Sequence, residues 1–134
     1  MRKTLVFLFL LTLVILTGSA SAEIVKVGFS GDGADYTCDG SADDVQIQQA
    51  LDRVAGTGGT VYLIGGNTYV ISKTLEIGDN TILTGDSDAV IKLKNNARWD
   101  KLVPMIENSG SSGNIKIHGF EIDANYYNNV VGTG

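Results

Sequence analysis

From Thr60 to Asp123 the chain is written in short β-rich runs, and no helix-length apolar stripe separates any two of them. The runs are TVYLI, TYVIS, TLEI, TILT, AVIKL, PMIE and IKIHGFEID. Between them stand clusters of Gly, Asn, Asp and Ser, the residues that tolerate tight corners. Pro104 is the one proline that interrupts them. A parallel sheet of the βαβ kind needs a helix at each crossover, so this pattern excludes it. A sandwich or barrel built from hairpins would favour Asn-Gly or Asp-Gly turns between runs. The two Asp-Gly pairs, Asp32-Gly33 and Asp39-Gly40, both precede the first run. What remains is a β-solenoid, in which the chain coils and each strand stacks on its counterpart one turn earlier.

A solenoid should repeat, and a shift of 20 residues gives a first measure. Gly58–Ile77 laid on Gly78–Ala97 puts Leu63 on Leu83, Gly65 on Gly85, Val70 on Val90 and Ile71 on Ile91, with Gly58 on Gly78. The matched residues are aliphatics and corner glycines, the two kinds that a stacked coil must keep in line.

The stretch before these runs, CDGSADDVQIQQAL, is different. Ile47, Ala50, Leu51 and Val54 fall at helical spacing and form one apolar stripe. Ser41 and Asp44 stand three apart, as in an approximate capping box. Asp43 and Asp44 lie in the first turn and Arg53 near the last, the arrangement that a helix dipole favours. Gly56 can end the helix in a left-handed conformation. A helix over Asp43–Ala55 is expected, with its acidity assigned to capping. The first coil of a solenoid exposes apolar core and unpaired strand edges. The amphipathic helix is expected to lie over that end as a lid.

The same residues resemble the N-terminal segment of the pectate-lyase superfamily of right-handed parallel β-helices. The family's helix start is matched by Asp39-Gly40, Asp43-Asp44 and Ile47-Gln48-Gln49-Ala50. Its first strands are matched by Gly58-Gly59-Thr60-Val61-Tyr62-Leu63 and Tyr69-Val70-Ile71-Ser72. IHGFEIDAN is similar to a later coil, with Ala124 where the family has glycine. Ile64-Gly65-Gly66-Asn67 departs from the family's usual Pro-Ala-Gly. The likeness covers about residues 30–125. It implies an all-β fold, a right-handed parallel β-helix with an N-terminal capping helix and only a few coils. It also implies action on acidic polysaccharides by elimination or hydrolysis, with catalytic residues on outward strand faces of middle coils. No catalytic motif of the family can be matched here residue by residue. The run from Asn67 to Ala97 is also similar to secreted surface proteins of methanogenic archaea related to disaggregatase, which loosen a matrix polysaccharide.

Residues 1–22 carry the three parts of a secretory signal. Arg2 and Lys3 begin it, an apolar run follows, and Ala20-Ser21-Ala22 supplies a small-residue cleavage pattern. The apolar run is shorter than the roughly 20 residues of a spanning helix. A cleaved signal over 1–22 and a β-helix domain over 23–134 are expected, with export to the medium or cell surface and no stable membrane span after cleavage. The chain of 134 residues has a formal charge of −5. Cleavage would leave 8 basic residues against 15 acidic, or −7. That charge repels phosphates and argues against nucleic acid. The single cysteine, Cys38, has no partner within the chain and is expected to be a small buried thiol.

Candidate chemistry concentrates in IKIHGFEID. Ile115 and Ile117 alternate with Lys116 and His118; after Gly119 the phase slips, and Phe120 and Ile122 become the inward set. Lys116 and His118 should then point outward from one strand, and Glu121 and Asp123 from the next. General acid–base cleavage of a sugar bond needs such groups in one groove. The simpler reading is that alternating strands must put something polar outside. Trp99, in the longest interruption between runs, is a candidate for stacking on a sugar ring or for folding back over the coil. Tyr126 and Tyr127 are further candidates for sugar contact. Asp123-Ala124-Asn125 reads as a corner, with Asn125 in an unusual backbone angle. Calcium is the one cofactor for which residues are on hand, at Asp32, Asp35 and Asp39. The EF-hand spacing fails, because counting from Asp35 puts Thr37 third and Gln46 twelfth.

Two function classes follow. One is a polysaccharide lyase or glycoside hydrolase, of which this chain is expected to be an N-terminal part, inactive alone. The other is a non-catalytic cell-surface protein that binds glycans or builds an envelope layer. The partner in both is a polysaccharide or cell-surface glycan.

Overall fold

The computed structural model describes residues 21–99, 102–111 and 113–129. The expected signal lies almost wholly outside them. Among the described residues no helix is long and apolar enough to cross a membrane.

The described residues open with two strands, β1 (Glu23–Phe29) and β2 (Tyr36–Cys38), followed by the helix α1 (Asp44–Val54). A first coil follows: β3 (Gly59–Leu63), β4 (Thr68–Ile71) and β5 (Leu75–Ile77). The second coil is β6 (Thr81–Gly85), β7 (Val90–Leu93) and β8 (Ile106–Asn108). A third opens with β9 (Lys116–His118) and β10 (Glu121–Asp123), and a single helical turn α2 (Tyr126–Asn129) succeeds it. Like strands stack into three sheets. Sheet A has the order β2-β1-β3-β6-β9, sheet B β10-β7-β4, and sheet C β5-β8. Every pairing among the described residues is parallel. This is a parallel β-helix, as the run-and-corner pattern requires.

The step between the first two coils is 22 residues, not 20. Gly59 pairs with Thr81 and Thr68 with Val90. The shorter step misleads for a physical reason: side chains alternate with period 2, so a slip of two residues keeps inward on inward. The true columns are Val25–Val61–Leu83–Ile117 in sheet A and Tyr69–Ile91–Ile122 in sheet B. Their first members are fully buried, while Ile117 and Ile122, in the outermost described layer, are 43% and 46% exposed. The sequence reading also passed over β1 and β2. Both extend sheet A below the first coil.

The helix is a lid, as expected. Ile47, Ala50, Leu51 and Val54 are buried in one core with Val25, Val61, Leu75 and Ile77. The contact is close: a Cβ on Gly59 would stand 2.9 Å from Cγ1 of Val54. Gly56 is left-handed at φ 82° just past the helix end. Arg53 of the last turn pairs with Glu23 of β1.

The capping reading of the aspartates is corrected. Asp43 takes the N-cap place, but no side chain caps the helix. Both carboxylates instead reach the leading edge of sheet B, where, among the described residues, no earlier strand pairs with β4. Asp43 donates its N–H to the Val70 carbonyl at 2.8 Å, and its Oδ2 accepts the Val70 N–H at 2.8 Å. Its Oδ1 accepts the N–H groups of Asp39 and Gly40. Asp44 accepts the Ser72 N–H at 2.7 Å and the Ser72 hydroxyl at 3.1 Å. The two aspartates are buried, yet their oxygens are bonded, which is the condition for burying a carboxylate.

Corners are stacked as well. Gly58, Asn80 and Asn114 all hold φ near +60° to +77° at the entry to successive strands of sheet A. The Asn114 amide donates to the Asn80 side-chain oxygen at 3.0 Å. Asn tolerates this region better than other non-glycine residues. Asn125 is left-handed at φ 51°, as the corner reading expects.

Candidate functional site

The two halves of IKIHGFEID lie in different sheets. β9 carries Lys116 opposite Ile82 and His118 opposite Thr84 in sheet A. Oγ1 of Thr84 and Nδ1 of His118 are 3.2 Å apart. Gly119, at φ 92°, then turns the chain so tightly that a Cβ there would lie 2.8 Å from the Gly85 carbonyl oxygen. β10 begins two residues later in sheet B. There Glu121 sits opposite Val90 and Asp123 opposite Lys92. Lys92 Nζ is 3.0 Å from Asp123 Oδ2. The Asn125 N–H and that lysine hold the Asp123 carboxyl below its usual range. The phase slip at Gly119 is therefore as expected. Among the described residues no hydrogen bond or ion pair joins Lys116 or His118 to Glu121 or Asp123.

Trp99 folds back over the coil. Its ring N–H donates to the Ser72 carbonyl at 3.3 Å, and the ring packs on the core's edge. Tyr126 and Tyr127 stand out on α2, 70% and 92% exposed, with their rings edge-to-face at 5.7 Å.

Each of the three calcium candidates is engaged in hydrogen bonds of the fold. Asp32 accepts the Phe29 N–H at 2.6 Å and the Asn67 amide at 2.8 Å, and these bonds hold its carboxyl below its usual range. Asp35 accepts the Lys26 N–H and Asp39 the Ser41 N–H. Among the described residues no group of three His, Cys, Asp or Glu side chains is placed to hold a metal ion.

Two arrangements escape the sequence reading. On the outer face of sheet C, Glu76 and Glu107 are register partners on neighbouring strands, flanked by the register pairs Leu75–Ile106 and Ile77–Asn108, of which Leu75 and Ile77 are buried. The alternation in TLEI and PMIE marks both glutamates as outward. The step of 31 residues between them, lengthened by the loop after β7, hides that they meet. The second is a groove of about 450 Å³ on the outer side of sheet B, lined by Val70, Lys92, Leu93, Lys94, Asn95 and Asn128. The sequence signal for it is the alternation Lys92-Leu93-Lys94, which puts two ammonium groups on one face. What could not be read is that α2 folds back to form a wall.

That wall is held by Asn125, which is 5% exposed. Its amide donates to the Leu93 carbonyl at 2.9 Å and to Asn95 Oδ1 at 2.6 Å, and its Oδ1 accepts the Asn128 amide at 2.7 Å. Asn129 donates to the Lys94 carbonyl and accepts the Ala97 N–H. One buried carboxamide thus sets the positions of two exposed ones.

Compared with known protein families, residues 24–131 match rhamnogalacturonase A/epimerase, pectate lyase-like. The chain belongs to this family. No curated protein and no solved structure matches it. The pectate-lyase-like assignment agrees with the all-parallel sheets and marks the chain as a β-helix of the polysaccharide-acting type. Nothing in the comparisons supports the likeness to archaeal surface proteins.

Proposed function

We propose that this chain is an exported, glycan-engaging β-helix of the pectate-lyase-like type, and that alone it binds polysaccharide without cleaving it. The observation that carries the reading is the division of Lys116 and His118 from Glu121 and Asp123 between two sheets. Acid–base cleavage needs its groups within hydrogen-bond reach of the same bond. Asp123 is moreover already held by Lys92 and Asn125. Export rests on residues 1–22; an exported protein whose N-terminus begins near Glu23 would agree with it, and retention of Met1 would not.

The test of function is direct. The purified 134-residue chain is incubated with polygalacturonate and with neutral glycans. Retarded migration in gels containing the acidic polymer, with no new reducing ends and no unsaturated sugars, is the expected result. Either product would overturn the reading.

One arrangement favours a second reading, a hydrolase. Glu76 and Glu107 lie on adjacent parallel strands, whose spacing is about 4.8 Å. Retaining glycosidases use two carboxyl groups about 5–5.5 Å apart. If products do form, loss of activity in Glu76→Gln and Glu107→Gln separately would assign the reaction to this pair.

A further inference from the structure

Sheet B's outer groove differs in kind from the rest of this acidic chain. Lys92 and Lys94 stand two residues apart on its floor, roughly 6.6 Å along an extended strand. Val70 gives an apolar patch beside them, and Asn95 and Asn128 give two carboxamides at the side. An ammonium has three N–H donors. Asp123 engages Lys92 from the next strand, on the side away from Val70, and does not line the groove. Lys94 has no carboxylate partner among the described residues.

We infer that this groove is an anionic-sugar subsite, in which Lys92 and Lys94 take a carboxylate or sulfate of a glycan and Asn95 and Asn128 take its hydroxyls. The inference rests on the glycan-binding reading above and gives it a place. The charges have the right sign for an acidic sugar and the wrong sign for a repeat of the chain's own surface. The carboxamides can both donate to and accept from hydroxyls, as sugar recognition requires. Their positions are fixed before any ligand arrives, because Asn125 bonds both of them from within the core. Such preorganisation lowers the ordering cost of binding. The volume suits one or two sugar rings, within the usual range of about 300–1,000 Å³ for small-molecule sites. The exposed Tyr126 and Tyr127 are carried on the same short turn as Asn128.

The test uses the full chain and three probes: trigalacturonic acid, its fully methyl-esterified form, and sodium sulfate. Binding is measured by calorimetry for the wild type, Lys94→Ala, Asn128→Ala and, as a control in sheet A, Lys26→Ala. The expected result is binding of the acid, at least tenfold weaker binding of the ester, and about tenfold weaker acid binding in Lys94→Ala, the scale of one charge-assisted hydrogen bond. Asn128→Ala should weaken it less, and Lys26→Ala should not change it. Lys94 and Asn128 are exposed, so a far-ultraviolet circular dichroism spectrum should show each variant folded. Unchanged acid binding in Lys94→Ala would overturn the subsite while leaving glycan binding intact. Equal affinity for sulfate alone would reduce the groove to an ion site and overturn it too. No binding of any saccharide would overturn both readings.

Discussion

The side chain of Gln48 bonds both main-chain polar groups of Glu76. Its oxygen accepts the Glu76 N–H at 2.9 Å, and its amide donates to the Glu76 carbonyl at 3.0 Å. A carboxamide has the same donor and acceptor as a backbone amide, so one helical side chain does the work of a strand that is not there. Asp43 does the same for Val70 with one main-chain and one side-chain atom. Sheet A needs no such substitute, because β1 and β2 lie below its first coil. The leading edges of sheets B and C are therefore met by side chains of the lid, as an exposed parallel edge would not be.

Replacing Gln48 by alanine should uncover the Glu76 peptide. A loss of about 1 kcal/mol is expected, since these bonds are partly exposed. Urea unfolding should show it as a lower midpoint with an unchanged slope. Gln49→Ala, on the exposed neighbour, should stay within about 0.5 kcal/mol of wild type.

Asp44→Ala should cost more, about 2–3 kcal/mol, because it leaves the half-buried Ser72 N–H and hydroxyl without their acceptor. Ser72→Ala removes only the hydroxyl bond and should cost less than half as much. If the two variants prove equal, the main-chain bond is not what the aspartate supplies.

Alkaline pH should destabilise the fold through two buried groups. Burial pushes the Tyr69 hydroxyl up to about 12 from an ordinary 10.0. Burial, helped by the Asp43 charge, pushes the Cys38 thiol up to about 12 from 9.0. The unfolded chain releases these protons first, so stability is full below about pH 9 and falls from there toward 12. Tyr69→Phe should flatten part of that fall, at the cost of the hydroxyl's bonds to the Val27 and Ile64 carbonyls. The same burial predicts that native Cys38 resists alkylation at pH 8 and reacts only on unfolding.

Gly119→Ala should be among the most damaging single changes. Its left-handed φ strains any side chain, and the new Cβ would meet a main-chain oxygen of the coil below. A loss above about 3 kcal/mol is expected. Gly113 is also left-handed, at φ 82°, but a Cβ there meets nothing within 4 Å, so Gly113→Ala should cost about 1–2 kcal/mol. Equal losses would remove the argument that Gly119 is needed for close stacking of coils.

Much of this fold is legible in the runs themselves. Val61, Leu83 and Ile91 announce their inward faces by alternation, and the stripe from Ile47 to Val54 announces the lid. The step is less legible, because 20 and 22 satisfy the same alternation; only pairing distinguishes them. Asp43 and Asp44 look like caps because local sequence shows the helix they begin and not the strand edge 27 and 28 residues away. The candidate groove is less legible still. Lys92 and Lys94 are visible as outward residues, but Asn125 and Asn128 join them only when α2 folds back across a chain separation of about 30 residues.

Hydrogen exchange at three amides tests the central claim, that side chains of the lid complete the solenoid's first coil. Val70, Ser72 and Glu76 donate to Asp43, Asp44 and Gln48. With the lid in place, the three should be protected to within about tenfold of interior strand amides such as that of Leu83, and Gln48→Ala should release Glu76 selectively. Exchange of all three at the rate of an open strand edge, with Leu83 still protected, would contradict it.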